Sequence, residues 1–324
     1  GSPIVAPKGA RVGEWSTNVR AVDIETVGLG GDSVVAFAHD GRITIGPRRA
    51  VPLAFLAHEY PAILDELRRL WAMRDEKSTL IQPVECFVRV RNHAAGDLTE
   101  RERKTLAALA DGPLSREQLS ERIGAMAPSL VPVDRLETLG YLQRSTLTPT
   151  DVMHHLGIFT DWSREAAEIG LNFFAYRANV MVPKLAEFIF DTFSYWMTLH
   201  LMHRLIRHAR PVPDFPDGPA DRALLDMLCD GTNLQGLTLQ ARFENPLVAI
   251  GAPAAALAPA AARKLGAQVI IPEHAEVANA VGAITGTLTL TAEATITPAD
   301  EAFVVHAPEE RRVFTDLTAA KAWA

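Results

Sequence analysis

The stretch that most narrows the fold is "NPLVAIGAPAAALAPAAARKLGAQVIIPEHAEVANAVGAITG", residues 245 to 286. A short apolar run ends on a glycine, an alanine-rich helical pattern follows, and then come a second apolar run and a second small-residue helix. Apolar runs without polar alternation suit strands covered on both faces, as in an α/β sheet. In open sheets of that kind ligands bind at the carboxyl ends of strands, where a helix begins and offers free N–H groups and its positive dipole end. Gly251 and Ala252 stand at such a point, with so little side chain that a flat ring could lie on their backbone. The motif is not GxGxxG, and no GxxxxGK[ST] loop occurs in the chain. Tight helix–strand packing therefore explains it equally well.

A second glycine corner lies near the start. "AVDIET" reads as a strand and runs into "VGLGGDS", residues 27 to 33. Such a turn can cradle phosphate, bind a metal or make a sharp corner. Residues 21 to 52 read as β structure throughout, and Asp40-Gly41 between two apolar runs is a hairpin signal. "PAILDELRRLWAM", residues 61 to 73, is an amphipathic helix with proline at its first position, and "CFVRVR" is a short strand.

From about residue 97 the texture becomes helical. Thr99 with Glu102 and Ser115 with Gln118 form capping-box pairs at two of three short helices, and the order resembles a winged-helix module. Residues 98 to 144 hold seven basic and seven acidic side chains. A neutral module gains little from counterion release, so packing or interaction is the reading rather than DNA binding. In "LTPTDVMHHLG", Thr148 caps a helix with Pro149 first and Asp151 reaching back. Asp151 and His154 share a face, which is compatible with a metal, but capping and ordinary packing are preferred. Residues 163 to 209 read as helical, with His200 and His203 again at metal-compatible spacing on an apolar helix.

Bulk properties exclude several classes. The 324 residues allow two or three domains, and 48% hydrophobic with 22% charged residues is an ordinary globular balance. A net charge of -7 gives no basic field for nucleic acid or an anionic membrane. Cys86 and Cys229 are the only cysteines, which fits a reduced, cytoplasmic setting, and no secretory leader pattern opens the chain. The apolar segment 183–209 is interrupted by Glu187, Asp191, His200, His203 and Arg204, so a buried or oligomer-facing helix is expected rather than a membrane span. "GSPIVAPKGA" at one end and "FTDLTAAKAWA", without a helix stop, at the other both read as cuts; the leading Gly-Ser is open between a tag scar and native sequence.

"GLGGDS", "AIGAPA", "PEHAEVANAVGAITG" and "TPTD…HHLG" together resemble the hydantoinase A / 5-oxoprolinase family, which includes acetone carboxylase subunits, from "GARVGEW" to "VFTDL". The resemblance implies the actin-like ATPase superfamily: an α/β, ribonuclease-H-like lobe carrying a helical, winged-helix-like insertion. It divides the chain into 1–96, the β-rich first part of the lobe; 97–150, the insertion; 151–210, a helical region; and 211–324, the second part with an adenosine-type turn. ATP and Mg²⁺ would be the cofactors. Gly28, Gly30, Gly31, Asp32 and Ser33 would lie near the phosphates or the lobe junction. Gly251, Ala252 and Pro253 match the adenosine turn, with Ala254 opening the next helix. Asn279, Ala280, Gly282 and Ala283 match a small-residue helix that packs on a partner lobe. Asp32, the only acid in a glycine turn, would be catalytic, metal-associated or water-orienting, although a turn-capping aspartate explains it as well.

One departure stands beside the match. The family's D-x-G-G-T-x-T-D turns, which give phosphates their N–H donors and metal its acid, do not occur here. The chain is therefore expected to be the carboxyl-terminal part of a larger subunit, inactive alone. Its partners would be a missing amino-terminal lobe, a hydantoinase B-like subunit and a small-molecule substrate, with homo-oligomer formation open. The implied activity is phosphoryl transfer onto an amide or carbonyl oxygen, followed by ring opening or carboxylation. The alternative is a non-catalytic nucleotide-binding or assembly module. His58-Glu59 and Glu273-His274 are adjacent acid–imidazole pairs; as neighbours on a strand they would face opposite ways, so neither dipeptide need be a site.

Overall fold

The computed structural model describes residues 5–6, 11–12, 15–16, 21–22, 26–76, 82–90, 97–209, 218–230, 233–234, 236–251, 254–285 and 293–324. It is a mixed α/β structure with several small sheets and more helix than strand. Two compact units divide it, residues 1–276 and 277–324.

The first unit opens with two short antiparallel pairs, β1 (Val5–Ala6) with β4 (Ala21–Val22) and β2 (Arg11–Val12) with β3 (Trp15–Ser16). The expected hairpin follows, β5 (Ser33–Phe37) antiparallel to β6 (Ile43–Arg49), with Gly41 at φ +81° in its turn. Ser33, Val35 and Phe37 alternate inward along β5. They join a core built by β7 (Val51–Pro52), α1 (Leu53–Glu59), α2 (Pro61–Ala72) and helices further along the chain.

The central sheet has the order β7, β10 (Leu142–Thr146), β8 (Cys86–Arg89), β9 (Leu114–Ser115), with β10 parallel to β7 and antiparallel to β8. Between β8 and β10 the chain forms α3 (Glu100–Ala108), α4 (Arg116–Ile123) and α5 (Asp134–Thr138). Both expected capping boxes are made reciprocally, at Thr99/Glu102 and Ser115/Gln118. These helices enclose their own apolar core around Leu106, Leu119 and Leu136, and Phe87 of β8 belongs to it. The guanidiniums of Arg116 and Arg144 stand 5.2 and 5.3 Å from the centre of the Phe87 ring, and both arginines bond Glu85. Burial lowers the pKa of Arg144 to about 10, yet its carboxylate partners Glu85, Asp134 and Glu137 keep the buried charge compensated.

The helical stretch from residue 163 is two helices, not one. α6 (Pro149–His155) precedes α7 (Arg164–Ala178), which stops where Asn179 turns left-handed, φ 55° and ψ 45°. α8 (Val182–Ala209) then begins with Pro183 in its first turn. Asparagine tolerates that conformation and proline cannot continue a ladder from behind, so the break is local chemistry. Leu185, Ile189 and Phe193 bury one flank of α8, while Phe188 and Trp196 remain exposed. Among the described residues no helix is long and apolar enough to cross a membrane. α9 (Pro219–Asp230) packs Leu225 and Cys229 with Met202 of α8 and Leu265. Both cysteines are buried, and neither forms a disulfide.

After the short pair β11 (Asn233–Leu234) and β12 (Leu237–Thr238) comes the βαβ element expected from the opening stretch. β13 (Leu247–Val248) and β14 (Val269–Ile270) pair in parallel, joined by α10 (Ala254–Lys264). The second unit holds α11 (Ala278–Thr285), then the antiparallel meander β15 (Thr295–Ala299), β16 (Ala302–His306), β17 (Arg311–Phe314), and α12 (Leu317–Trp323) capped by Asp316.

Candidate functional site

The glycine turn before β5 is held from three directions. Within it, the Gly30 N–H donates to Ser33 Oγ at 2.9 Å and the Ser33 N–H to the Gly30 carbonyl at 3.0 Å. From below, Thr150 in the first turn of α6 grips the Gly31 carbonyl twice, through its N–H at 2.9 Å and its hydroxyl at 2.8 Å. From the side, β6 presses on the turn: a Cβ at Gly28 would come 2.6 Å from Pro47 Cβ, and one at Gly46 would come 2.6 Å from the Gly28 carbonyl oxygen. Glycine is needed here for close approach. Asp32 receives Arg49 Nε at 2.6 Å on Oδ2, and its carbonyl accepts the Ala50 N–H at 2.8 Å.

Asp151 supports this corner from inside. It is fully buried and closes the expected capping box with Thr148, but it also accepts the N–H groups of Leu53 at 3.3 Å and Ala54 at 2.8 Å. One carboxylate thus caps the starts of α6 and α1 together, which a local sequence signal cannot reveal. Burial raises its pKa to about 6, against hydrogen bonds that pull it down. His154 is spent as well: Nδ1–H donates to the Thr150 carbonyl at 2.8 Å, and Nε2 accepts the Trp162 N–H at 3.2 Å. Its pKa is lowered by burial, and its ring stacks on Trp162. The capping reading of this helix stands, and neither side chain is open to a metal. Among the described residues no group of three or more His, Cys, Asp or Glu could hold a metal ion.

The late glycine turn is built differently. Gly251 sits past the end of β13 at φ +107°, where side-chain-bearing residues are strained. Its N–H donates to the Ala275 carbonyl at 2.6 Å, joining the loops that leave β13 and β14 at one edge of the parallel pair. Val248 and Ile250 beside it are 63% and 58% exposed. Ala252 and Pro253 lie outside the described residues.

The two turns reach one apolar cluster. Leu29 of the first and Ala256 of α10, behind the second, pack with buried Met153, Phe193 and Leu257. Asn279, Ala280, Gly282 and Ala283 lie on the exposed α11 of the second unit. His58 and Glu59 end α1 rather than sitting on a strand, and both are exposed. Glu273 and His274 occupy a turn, their side chains exposed and 3.7 Å apart, with His274 at φ 62°. Sequence reasoning missed Arg49, Thr150 and the reach of Asp151 to α1. Each acts across long sequence separations with no motif to mark it.

No protein-family model, no curated protein and no solved structure matches the chain.

Proposed function

We propose that this chain is a nucleotide-binding part, ribonuclease-H-like in fold, of an ATP-dependent cyclic-amide hydrolase of hydantoinase A / 5-oxoprolinase type or of a related carboxylase subunit. The observation that carries the reading is the shared apolar cluster: Leu29 and Ala256 bring two corners more than two hundred residues apart to the same packing centre. The arrangement at Gly251, a glycine at the carboxyl end of a parallel strand before a helix, is the place where such sheets take ligands. The chemistry would be transfer of a phosphoryl group from ATP to an amide or carbonyl oxygen, giving ADP and a leaving group that water or a carboxylation partner then exploits. The residues present contribute positioning and polar contacts. Asp32, with one oxygen taken by a guanidinium, does not fit a ligand for resident Mg²⁺, and no step is assigned to the metal.

Calorimetric titration of the 324-residue chain with ATP and with adenosine tests this. Binding of both, lost in Gly251→Val while the fold persists, supports it; no adenosine binding by the wild type refutes it. No unpaired acid stands in the first glycine turn, so ATP hydrolysis by the chain alone is expected at background rate. Robust hydrolysis abolished in Asp32→Ala would reverse the assignment.

A second reading, a non-catalytic docking module, draws on exposed apolar side chains: Met126 at 91% on the helical insertion, and Phe188 and Trp196 on α8. Association with a hydantoinase B-like partner, unaffected by nucleotide, would favour it.

A further inference from the structure

We propose that Arg49 is the anion-contacting side chain of the first glycine turn, and that Asp32 is its positioning residue rather than a metal ligand. This rests on the nucleotide reading above and names the group that would meet phosphate.

Arg48 and Arg49 are successive residues at the end of β6, so they point to opposite faces. Arg48 turns to the helical insertion, 2.6 Å from Glu137 and 3.9 Å from Asp134. Arg49 turns to the glycine corner, where its Nε meets Asp32 Oδ2. Asp32 is the only hydrogen-bond or ion-pair partner of the Arg49 side chain among the described residues, and that side chain remains 75% exposed. A guanidinium offers five N–H donors in one plane. With Nε committed to Asp32, the two terminal nitrogens carry no hydrogen bond or ion pair among the described residues. A planar, permanently charged fork of this kind matches two oxygens of a phosphate.

The support behind the pair is rigid. Thr150 locks Gly31, Ser33 locks Gly30, and Asp151 fixes the helix from which Thr150 reaches. An exposed aspartate–arginine pair contributes only about 0–1 kcal/mol to stability. Stability therefore gives little reason for such a pair on so firmly held a corner, whereas a preorganised anion donor does. Asp32, the one acid this turn could offer to Mg²⁺, is turned to holding a cation, which itself supplies positive charge for phosphate.

Titration of the chain with tripolyphosphate, ATP and adenosine, for wild type, Arg49→Ala, Arg49→Lys and Asp32→Asn, tests the assignment. Loss of charge-assisted hydrogen bonds predicts that Arg49→Ala weakens tripolyphosphate and ATP roughly tenfold to a hundredfold and leaves adenosine unchanged. Arg49→Lys keeps the charge without the fork and restores only part of the loss; Asp32→Asn weakens the two phosphates less than Arg49→Ala. Melting curves confirm folding of each variant. Wild-type ATP binding that Arg49→Ala does not change overturns this inference and leaves the nucleotide reading standing. Arg49-dependent tripolyphosphate binding without adenosine binding keeps the inference and overturns that reading. Binding of none of the three overturns both.

Discussion

The two glycine corners of the first unit solve opposite problems. At residues 28 to 33 the glycines are there to be approached: Pro47 lies against Gly28, Thr150 holds Gly31, and Arg49 covers Asp32. At Gly251 the glycine is there to bend, with φ +107°, one backbone hydrogen bond to Ala275, and exposed apolar neighbours Val248 and Ile250. The first is a polar corner fixed by side chains from other elements. The second is an apolar corner held by a backbone hydrogen bond to the neighbouring loop. Under the proposed nucleotide reading, a polyanion would meet the first corner and a flat ring the second.

The sharpest break in this contrast is Asp151→Ala. The buried N–H groups of Leu53, Ala54 and Thr148 lose their acceptor, and each unsatisfied group costs about 1–3 kcal/mol. A loss of about 3 kcal/mol or more in urea unfolding is expected, with the first corner failing and the second spared in hydrogen exchange. The pH dependence has a definite sign. The folded carboxyl holds its proton to about pH 6, against 3.8 for the ordinary group, so folding takes up a proton in that window. Its contribution to stability is full below 3.8, falls as pH rises to about 6 and is level beyond. The difference between wild type and Asp151→Asn should show that slope.

Next in size is Gly28→Ala, whose methyl would enter Pro47 and cost about 1–3 kcal/mol by overpacking. Gly251→Ala should cost about 1–2 kcal/mol from backbone strain alone. Chemical denaturation separates the two: relieving the contact with Pro47→Gly should rescue Gly28→Ala and leave Gly251→Ala unchanged. The smallest effect belongs to Glu273→Gln. Its pair with His274 is exposed on both sides, so stability should move by no more than about 0.5 kcal/mol and nucleotide binding should not move.

Local chemistry was legible in the residues themselves. The capping boxes at Thr99, Ser115 and Thr148, the Asp40-Gly41 hairpin, Pro61 opening α2 and the strand–helix–strand around Gly251 all formed where spacing put them. The caps, the hairpin turn and the proline start are each decided within a few residues of chain. The break at Asn179 was not foreseen, because helical periodicity runs on both sides of it. The acid–imidazole pair at His58 and Glu59 fell on a helix end, because α1 is set by Asp151 from a distance of nearly a hundred residues.

What the sequence determined alone is where the chain turns, caps and alternates, since backbone sterics and short hydrogen bonds act over one to four positions. What tertiary structure decided is which carboxylate is used for what. Asp32 and Asp151 look alike as turn and cap residues, but burial and partners brought by β6 and α1 make one the holder of an exposed arginine and the other a sealed joint between two helices. A charged group takes its role from the donors around it, and those donors are assembled only when distant strands and helices close on each other.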